Sequence, residues 1–132
     1  MISQVGTDPR MIETDAVRKR EVRTAYDEVG GRLYDLRYEV EQKEKYDSIL
    51  ERVSLREEDS VLDAGCGTGL LLERIHASVA SSVGLDISGR LLSWADNKLQ
   101  RFRHVHLVLA DSDCLPFRGS VFDRLFAVTL LQ

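Results

Sequence analysis

The stretch that decides the fold reads Val61-Leu62-Asp63-Ala64-Gly65-Cys66-Gly67-Thr68-Gly69, and an apolar helical run over residues 70–75 follows it. Val61 and Leu62 are typical of the end of a buried strand, and three glycines then stand at alternate positions. Glycine adopts positive φ angles without strain and lets a ligand contact the main chain. The first turn of a helix offers unpaired N–H groups and the positive end of the helix dipole. This order of strand, glycine turn and helix predicts a site for a nucleotide or another anion.

The glycine spacing separates two kinds of nucleotide site. A dinucleotide-binding turn has the pattern G-x-G-x-x-G, in which the third glycine permits close packing of helix against strand. Counted from Gly65, that glycine would fall at position 70, where the sequence has Leu70. The pattern here is G-x-G-x-G, with Asp63 two residues ahead of it. An NAD-dependent oxidoreductase domain is therefore the less favoured alternative.

Length and composition are those of one soluble domain. The chain has 132 residues, of which 43% are hydrophobic and 30% charged, and these suffice for a hydrophobic core. The net charge of −4 gives no strong signal for nucleic-acid binding. Cys66 and Cys114 lack C-x-x-C spacing, and no histidines cluster near them, so we expect reduced thiols and no metal site. No apolar run is long enough to cross a membrane, so we expect a cytoplasmic protein without a membrane partner.

Apolar periodicity predicts three regions along the chain. Residues 1–13 have no periodicity and are expected to form a flexible tail. Residues 14–55 are expected to form N-terminal helices, one broken by Gly30-Gly31 and a second over about residues 39–53. The inner face of that second helix is expected to hold Val40, Tyr46, Ile49, Leu50 and Val53.

Residues 56–132 alternate strand and helix patterns, which predicts an α/β fold. We expect a Rossmann-like, partly parallel sheet of about four strands in the order 3-2-1-4, flanked by helices. The strands are expected at about residues 60–64, 83–86, 105–110 and 124–131, and the helices at about 70–79 and 89–100, the latter capped by Ser88.

Three aspartates follow three successive predicted strands: Asp63, Asp86 and Asp111. The carboxyl ends of parallel strands line the ligand crevice of an open α/β sheet. Asp86 lies about twenty residues after Gly65, where such folds place an acid for the ribose hydroxyls. A carboxylate suits that task because it accepts from two O–H donors, and its charge strengthens both bonds. An ordinary strand-end turn is the alternative for Asp86, and an Asx turn is the alternative for Asp111.

The string VLDAGCGTG, from Val61 to Gly69, closely resembles the cofactor loop of class I S-adenosylmethionine-dependent methyltransferases. The resemblance implies that the loop binds S-adenosyl-L-methionine and its product S-adenosyl-L-homocysteine. It also implies that Asp63 orders the loop and lies near the amino group of the ligand. The loop residues that it places beside the ligand are Gly65, Cys66, Gly67, Thr68 and Gly69.

Later segments extend the resemblance over about residues 22–132. Asp86, within VGLDIS at 83–88, matches the acid that binds the ribose diol, and Ile87 would pack against the adenine. The segment ADSDCLPF at 110–117 resembles D-A-x-x-L-P-F, in which Asp111 would accept from the adenine amino group. Ser112 would offer its backbone N–H there. Residues 122–128 resemble the F-D-x-V strand that follows in the family.

Upstream, AYDEV at 25–29 and LYD at 33–35 resemble the tyrosine–aspartate lid of ubiquinone-biosynthesis-type methyltransferases. The resemblance implies that Tyr26 and Tyr34 close over the ligand. Each tyrosine would give an apolar ring and a hydroxyl group. Burial of both rings in the core is the alternative interpretation.

The sequence leaves the acceptor and the catalytic base unidentified. Methyltransferases of this class have seven strands, so we expect this chain to be the cofactor-binding portion, without the C-terminal strands. The acceptor is expected to be a small molecule, a protein or a tRNA, and a non-catalytic S-adenosylmethionine-binding subunit or regulator is the alternative. The fourth strand would be an exposed apolar edge that favours a homodimer. The three histidines, His76, His104 and His106, are expected to lie away from the site.

Overall fold

The computed structural model describes residues 2–4, 20 and 31–128, and for Gln4 and residues 31–38 it describes the backbone alone. None of the helices in these ranges has the length and apolar character needed to span a membrane. The elements in chain order are β1 (Ile2–Gln4), α1 (Gly31–Arg52), β2 (Ser60–Ala64), α2 (Leu70–Ile75), a 3-10 turn (His76–Ser78), β3 (Ser81–Asp86), α3 (Gly89–Leu99), β4 (Val105–Leu109) and β5 (Arg124–Phe126).

The described strands form one sheet in the order β1-β4-β3-β2-β5, and every pairing in it is parallel. The predicted order 3-2-1-4 corresponds to β4-β3-β2-β5 and is confirmed. The predicted count of about four strands is corrected to five by β1. Asp63 of β2 lies opposite Gly84 of β3 on one side and Phe126 of β5 on the other. This register brings the ends of β2 and β3 together at one edge of the sheet.

The strand β1 corrects the expected flexible tail over residues 1–13 at three of its positions. Ile2 to Gln4 pair with Leu107 to Leu109 along the outer edge of β4. Ile2 also packs against a core cluster that contains Leu107, so apolar contact as well as backbone pairing holds this short strand. Periodicity could not reveal it, because three residues are too few to show an alternation.

The described helices flank the sheet as expected, and all of them pack on one of its faces. Val61 belongs to the cluster that α1 and α2 cover, whereas Leu62 belongs to a separate cluster with Leu85 and Val108. Consecutive strand residues point to opposite faces, so the second cluster lies on the other face. Phe117 and Phe122, from the segment between β4 and β5, cover that face in place of a helix.

The N-terminal helix begins earlier than its pattern predicted. The helix α1 starts at Gly31 rather than near Glu39 and ends at Arg52. Val40, expected on its inner face, is 74% exposed, and Gln42 is buried together with Tyr46. Residues four apart share a helix face, whereas Val40 is two positions from Gln42 and lies on the opposite side. The helix expected over residues 14–29 lies outside the described residues, apart from Arg20.

Candidate functional site

The glycine turn that follows β2 adopts the conformation that its composition predicts. Gly65, Gly67 and Gly69 have φ angles of 80°, 57° and 83°, in the left-handed region that side chains disfavour. The carbonyl oxygen of Leu85 accepts from the N–H groups of Gly65 at 2.7 Å and Cys66 at 3.0 Å. The turn is therefore bonded to the end of β3 as well as to its own strand.

The close contact between this turn and a helix occurs at Gly69. A Cβ atom at Gly69 would lie 2.6 Å from Cδ1 of Leu99, a fully buried residue of α3. Leu70, at the position of the third dinucleotide glycine, is already the first residue of α2. The tight approach falls one position earlier than the dinucleotide pattern requires, and this agrees with the G-x-G-x-G interpretation.

The side chain of Cys66 packs into the core. Its residue is 4% exposed and belongs to the cluster of Leu72, Leu92 and Leu107. Burial raises the pKa of the Cys66 thiol well above its usual range, and the charges of Asp86 and Asp63 raise it further. Only the backbone of Cys66 can therefore border the ligand as expected. Its side chain packs in the core and anchors the turn there. Thr68 is likewise buried, at 1% exposure.

Asp86 joins the end of β3 to the glycine turn. Its Oδ2 accepts from the N–H of Gly67 at 2.8 Å, and its Oδ1 accepts from the N–H of Ser88 at 2.9 Å. The residue is 6% exposed. Ser88 then caps α3, since its hydroxyl accepts from the N–H of Leu91 at 3.2 Å, as predicted. The Asp86 carboxylate is therefore fixed in position by main-chain donors on both sides.

Asp63 lies beside Asp86 and differs from it in having an oxygen without a donor. It is 2% exposed, and its buried Oδ2 has no hydrogen-bond partner among the described residues. Burial raises the pKa of Asp63 to about 8, and the neighbouring Asp86 acts in the same direction. A buried acceptor without a partner is costly in a folded protein, so such a group calls for an explanation.

Asp111 lies just after β4, and its carboxylate is partly used within its own turn. Its Oδ1 accepts from the N–H of Asp113 at 2.9 Å, which is the Asx turn named as the alternative. Asp111, Ser112 and Ile87 are all partly exposed, so ligand contact remains open to them. The Asx turn and a bond to adenine are compatible, because a carboxylate offers about four lone-pair sites.

The two predicted lid tyrosines and the three histidines add no described side chain to this site. Tyr26 lies outside the described residues, and Tyr34 lies in α1 where the backbone alone is described. His76 stacks on Phe102 with ring centroids 3.6 Å apart, in the 3-10 turn after α2. His104 and His106 are exposed near the amino end of β4. No group of three or more potential metal ligands occurs in the described ranges.

Two residues that hold the site together are not among the predicted site residues. A Cβ atom at Gly84 would lie 2.5 Å from Cδ1 of Leu72 and 2.8 Å from Sγ of Cys66, so only glycine lets the turn sit on β3. A glycine inside a strand is a known signal for close approach, and Gly84 carries that signal. The backbone N–H of Ser88, which holds Asp86, has no sequence signal, because every residue except proline supplies one.

The residues present fit S-adenosylmethionine on the geometry alone. The glycine turn has no side chain at Gly65, Gly67 or Gly69 to fill the space beside it, and Asp86 is fixed next to the turn, where it could accept from a diol. Asp63 supplies a buried acceptor that needs a donor, and an ammonium group would provide one. The chemistry of these donors and acceptors matches an adenosyl ligand with a cationic end.

Comparison with known proteins gives the family. The family described as "Methyltransferase domain" matches residues 61–132, which is more than half of the chain and contains the glycine turn and all three strand-end acids. The chain therefore belongs to the class I S-adenosylmethionine-dependent methyltransferases, as its sequence indicated.

Individual proteins are similar over parts of the chain. A demethylmenaquinone methyltransferase of Tropheryma whipplei is 36% identical over 74 residues, covering 56% of this chain and 30% of the relative. The putative methyltransferase of Haloferax volcanii, solved in complex with its Trm112 activator, has a TM-score of 0.71 at 23% identity, covering 77% of this chain and 46% of that one. Phosphoethanolamine N-methyltransferase 1 of Haemonchus contortus was solved with phosphoethanolamine and S-adenosylhomocysteine. It has a TM-score of 0.70 at 14% identity, and the match covers 93% of this chain and 27% of that one.

These likenesses extend over only a part of the other proteins. The chain spans less than half the length of the curated relatives it matches. The two structures share less than 25% of their residues with this chain, so they show its fold alone.

Proposed function

We propose that this chain binds S-adenosylmethionine at the glycine turn and serves the transfer of its methyl group to an acceptor. The observation that carries the proposal is the hydrogen bond that the N–H of Gly67 donates to Asp86 within a turn of three left-handed glycines. The Asp86 carboxylate and the glycine turn lie together at the carboxyl edge of the sheet, where open α/β folds bind ligands.

The fixed position of the Asp86 carboxylate supports a role in ribose binding. Its Oδ2 accepts from the backbone N–H of Gly67 and its Oδ1 from that of Ser88. A carboxylate accepts strong, charge-assisted hydrogen bonds from hydroxyl groups. Two vicinal hydroxyls are suited to a carboxylate whose oxygens are held at fixed positions. Asp111 and Ile87, at the neighbouring strand ends, are proposed to receive the adenine.

The cofactor, when bound, supplies an activated methyl group on a sulfonium, so the protein need not form a covalent intermediate. The residues of this chain bind and orient that ligand: the turn contacts it with main chain, and Asp86 fixes the ribose. Alignment of two reactants is itself a large source of rate acceleration. No residue of the chain is assigned as a catalytic base.

Calorimetric titration tests the cofactor assignment. We expect S-adenosylmethionine and S-adenosylhomocysteine to bind and NAD to give no response under the same conditions. Tight binding of NAD without a response to either sulfur ligand would replace this proposal by the oxidoreductase alternative. Asp123→Ala is a suitable control, because Asp123 bonds to Ser60 at the amino end of the sheet.

Transfer of a labelled methyl group tests whether the chain acts as an enzyme or as a cofactor-binding subunit. The chain, incubated with labelled S-adenosylmethionine and a cell extract, should label one fraction among small molecules, proteins and RNA. A small molecule is the favoured acceptor, because the similar Tropheryma whipplei protein is named for a quinone precursor. Cofactor binding with no labelled product in any fraction would favour the regulatory alternative.

We also propose that residues 14–55 form a lid in which Tyr26 and Tyr34 contact the bound ligand. The support is the resemblance of their tyrosine–aspartate segments to the lid of related methyltransferases. Tyr34→Ala and Tyr26→Ala should each weaken binding of S-adenosylhomocysteine, whereas Tyr46→Phe should not, because Tyr46 is buried in the core. Lower stability with unchanged affinity in either alanine variant would indicate core tyrosines instead.

A second copy of the chain is the proposed partner of β5. This strand is at one end of the described sheet order, and its Leu125 is 56% exposed. An unpaired apolar strand edge favours pairing with another chain. Sedimentation should show a dimer that Leu125→Lys dissociates. A monomer at all accessible concentrations would contradict this pairing. Proteins of another kind are also plausible partners, since the Haloferax volcanii methyltransferase was solved with an activator protein.

A further inference from the structure

Two carboxyl groups are buried side by side at the edge of the sheet. Asp63 lies opposite Gly84, and Asp86 lies two residues further along the same strand. Residues two apart point to the same face, so the two acids are diagonal neighbours. They are 2% and 6% exposed. Two negative charges in such a place repel each other and are poorly solvated, which disfavours ionisation of both.

The two acids differ in how well their charges are stabilised. Asp86 accepts two backbone N–H bonds, which favour its ionised form. The Oδ2 of Asp63 accepts none. Burial and Asp86 together raise the pKa of Asp63 to about 8. The geometry and the pKa both indicate that Asp63 is the member of the pair that holds a proton.

Among the residues that the structure describes, no cation faces Asp63 to reverse this preference. The described titratable groups that face it are Asp86 from β3 and the Cys66 thiol from the turn. Its partners across the sheet are Gly84 and Phe126, which carry no charge. The charged residues of α2 and α3, which pack on the same face as Asp63, are all exposed or partly exposed: Glu73, Arg74, Arg90, Asp96 and Lys98. Of these, Arg74 pairs with Asp47 and Lys98 pairs with Glu73.

We propose that Asp63 holds a proton in the ligand-free chain and releases it to solvent when the cationic end of S-adenosylmethionine enters the site. The proposal rests on the proposed cofactor. The incoming ammonium group brings the positive charge and the N–H donor that the buried oxygen lacks, so the ionised carboxylate becomes the stable form. Loading of the site is then coupled to the loss of one proton.

This coupling fixes the direction of the pH dependence of binding. Below the pKa of Asp63 in the free chain, binding must expel a proton, so affinity rises by about tenfold per pH unit from pH 6 towards pH 7.5. Above about pH 8 the proton is already lost and this dependence ends. The α-amino group of the ligand also titrates near pH 7.7–8.0, so the pH dependence of affinity should be measured below that range.

Calorimetric titration at pH 7.0 in buffers of different ionisation enthalpy measures the proton directly. From a pKa of about 8, the free chain holds about 0.9 proton on Asp63 at this pH, and S-adenosylhomocysteine should release nearly that amount. Asp63→Asn should release none, and its affinity should be weaker and flat between pH 6 and 7.5. Asn is close to Asp in size, so this variant keeps the packing of the buried site.

The outcomes separate this inference from the cofactor assignment. Binding by the wild-type chain without proton release, or equal release by Asp63→Asn, would overturn the inference and leave the cofactor in place. No binding of either sulfur ligand between pH 6 and 9 would overturn the cofactor and the inference with it. Carbon-13 NMR titration of the ligand-free chain is an independent readout, because the Asp63 carboxyl should titrate near 8. Titration near 4 would overturn the inference whatever the ligand does.

Discussion

Two buried aspartates lie at opposite ends of the strand β2. Asp59 comes just before the strand and is 5% exposed, and Asp63 is its next-to-last residue and is 2% exposed. The side chain of Asp59 has partners within the chain. Its Oδ2 accepts from the N–H of Arg56 at 2.9 Å and lies 3.9 Å from Nε of Arg124. The Oδ2 of Asp63 is without a partner in the described part of the chain. The two acids are similarly buried but differ in hydrogen bonding, so we interpret Asp59 as a structural acid and propose that Asp63 binds a ligand.

The two ends of the sheet also differ in their backbone connections. At the amino end, Ser60 and Asp123 exchange two hydrogen bonds of 2.8 Å each, so their polar groups are satisfied within the chain. At the carboxyl end, three glycines in left-handed conformations form a turn in which Gly67 donates its N–H to the Asp86 carboxylate. We interpret the amino end as scaffold and the carboxyl end as the proposed binding site.

The largest expected effect is that of Gly69→Ala. A side chain at φ 83° is strained, and its Cβ would meet Leu99 at 2.6 Å, so unfolding free energy should fall by about 2–4 kcal/mol. Gly119→Ala is the matched control, since nothing lies within 4 Å of its Cβ, and we expect it to be nearly neutral. Urea denaturation measures both variants. Equal losses of unfolding free energy would show that the backbone conformation and close contact at Gly69 impose no special requirement for glycine.

The contrast between the ends is tested next by ligand affinity. Asp86→Ala removes the proposed charge-assisted partner of the ribose, so S-adenosylhomocysteine should bind about 30- to 150-fold more weakly, or by about 2–3 kcal/mol. Asp59→Ala removes an equally buried acid at the amino end and should lower stability while leaving affinity unchanged. If Asp59→Ala weakened binding as much as Asp86→Ala does, the two ends would not differ in function.

The pH dependence of stability gives a third test. The folded chain keeps a proton on Asp63 up to about pH 8, whereas the unfolded chain releases it near 3.8. Stability of the ligand-free chain should therefore fall between pH 4 and pH 8, by up to about 1.4 kcal/mol per pH unit from this group. Asp63→Asn should remove that decline, and Asp59→Asn should retain it. Urea denaturation across this range provides the measurement, and a decline that Asp63→Asn leaves intact would assign it to another group.

Much of this site was predictable from sequence because its determinants are local. Glycine spacing, the three strand-end acids and the cap at Ser88 each depend on a few adjacent residues, and the strand order then follows from the short connections. The placement of Cys66 was not predictable, since it depends on contact with Gly84 from another strand. The same holds for Val40 and for β1, whose positions depend on packing between distant segments. The raised pKa of Asp63 also required the structure, because neither its burial nor the lack of a donor at Oδ2 can be read from the sequence.

The smallest expected effect distinguishes the side chain of Ser88 from its backbone. Ser88→Ala removes the hydroxyl that accepts from Leu91, so α3 loses its cap and stability should fall by about 1 kcal/mol. The N–H of residue 88 still donates to Asp86, so the carboxylate stays in place and affinity for S-adenosylhomocysteine should change by less than about twofold. Calorimetric titration beside a urea curve would measure both. A loss of affinity as large as that of Asp86→Ala would mean that the cap, and not the main-chain donor, positions the acid at this end of the sheet.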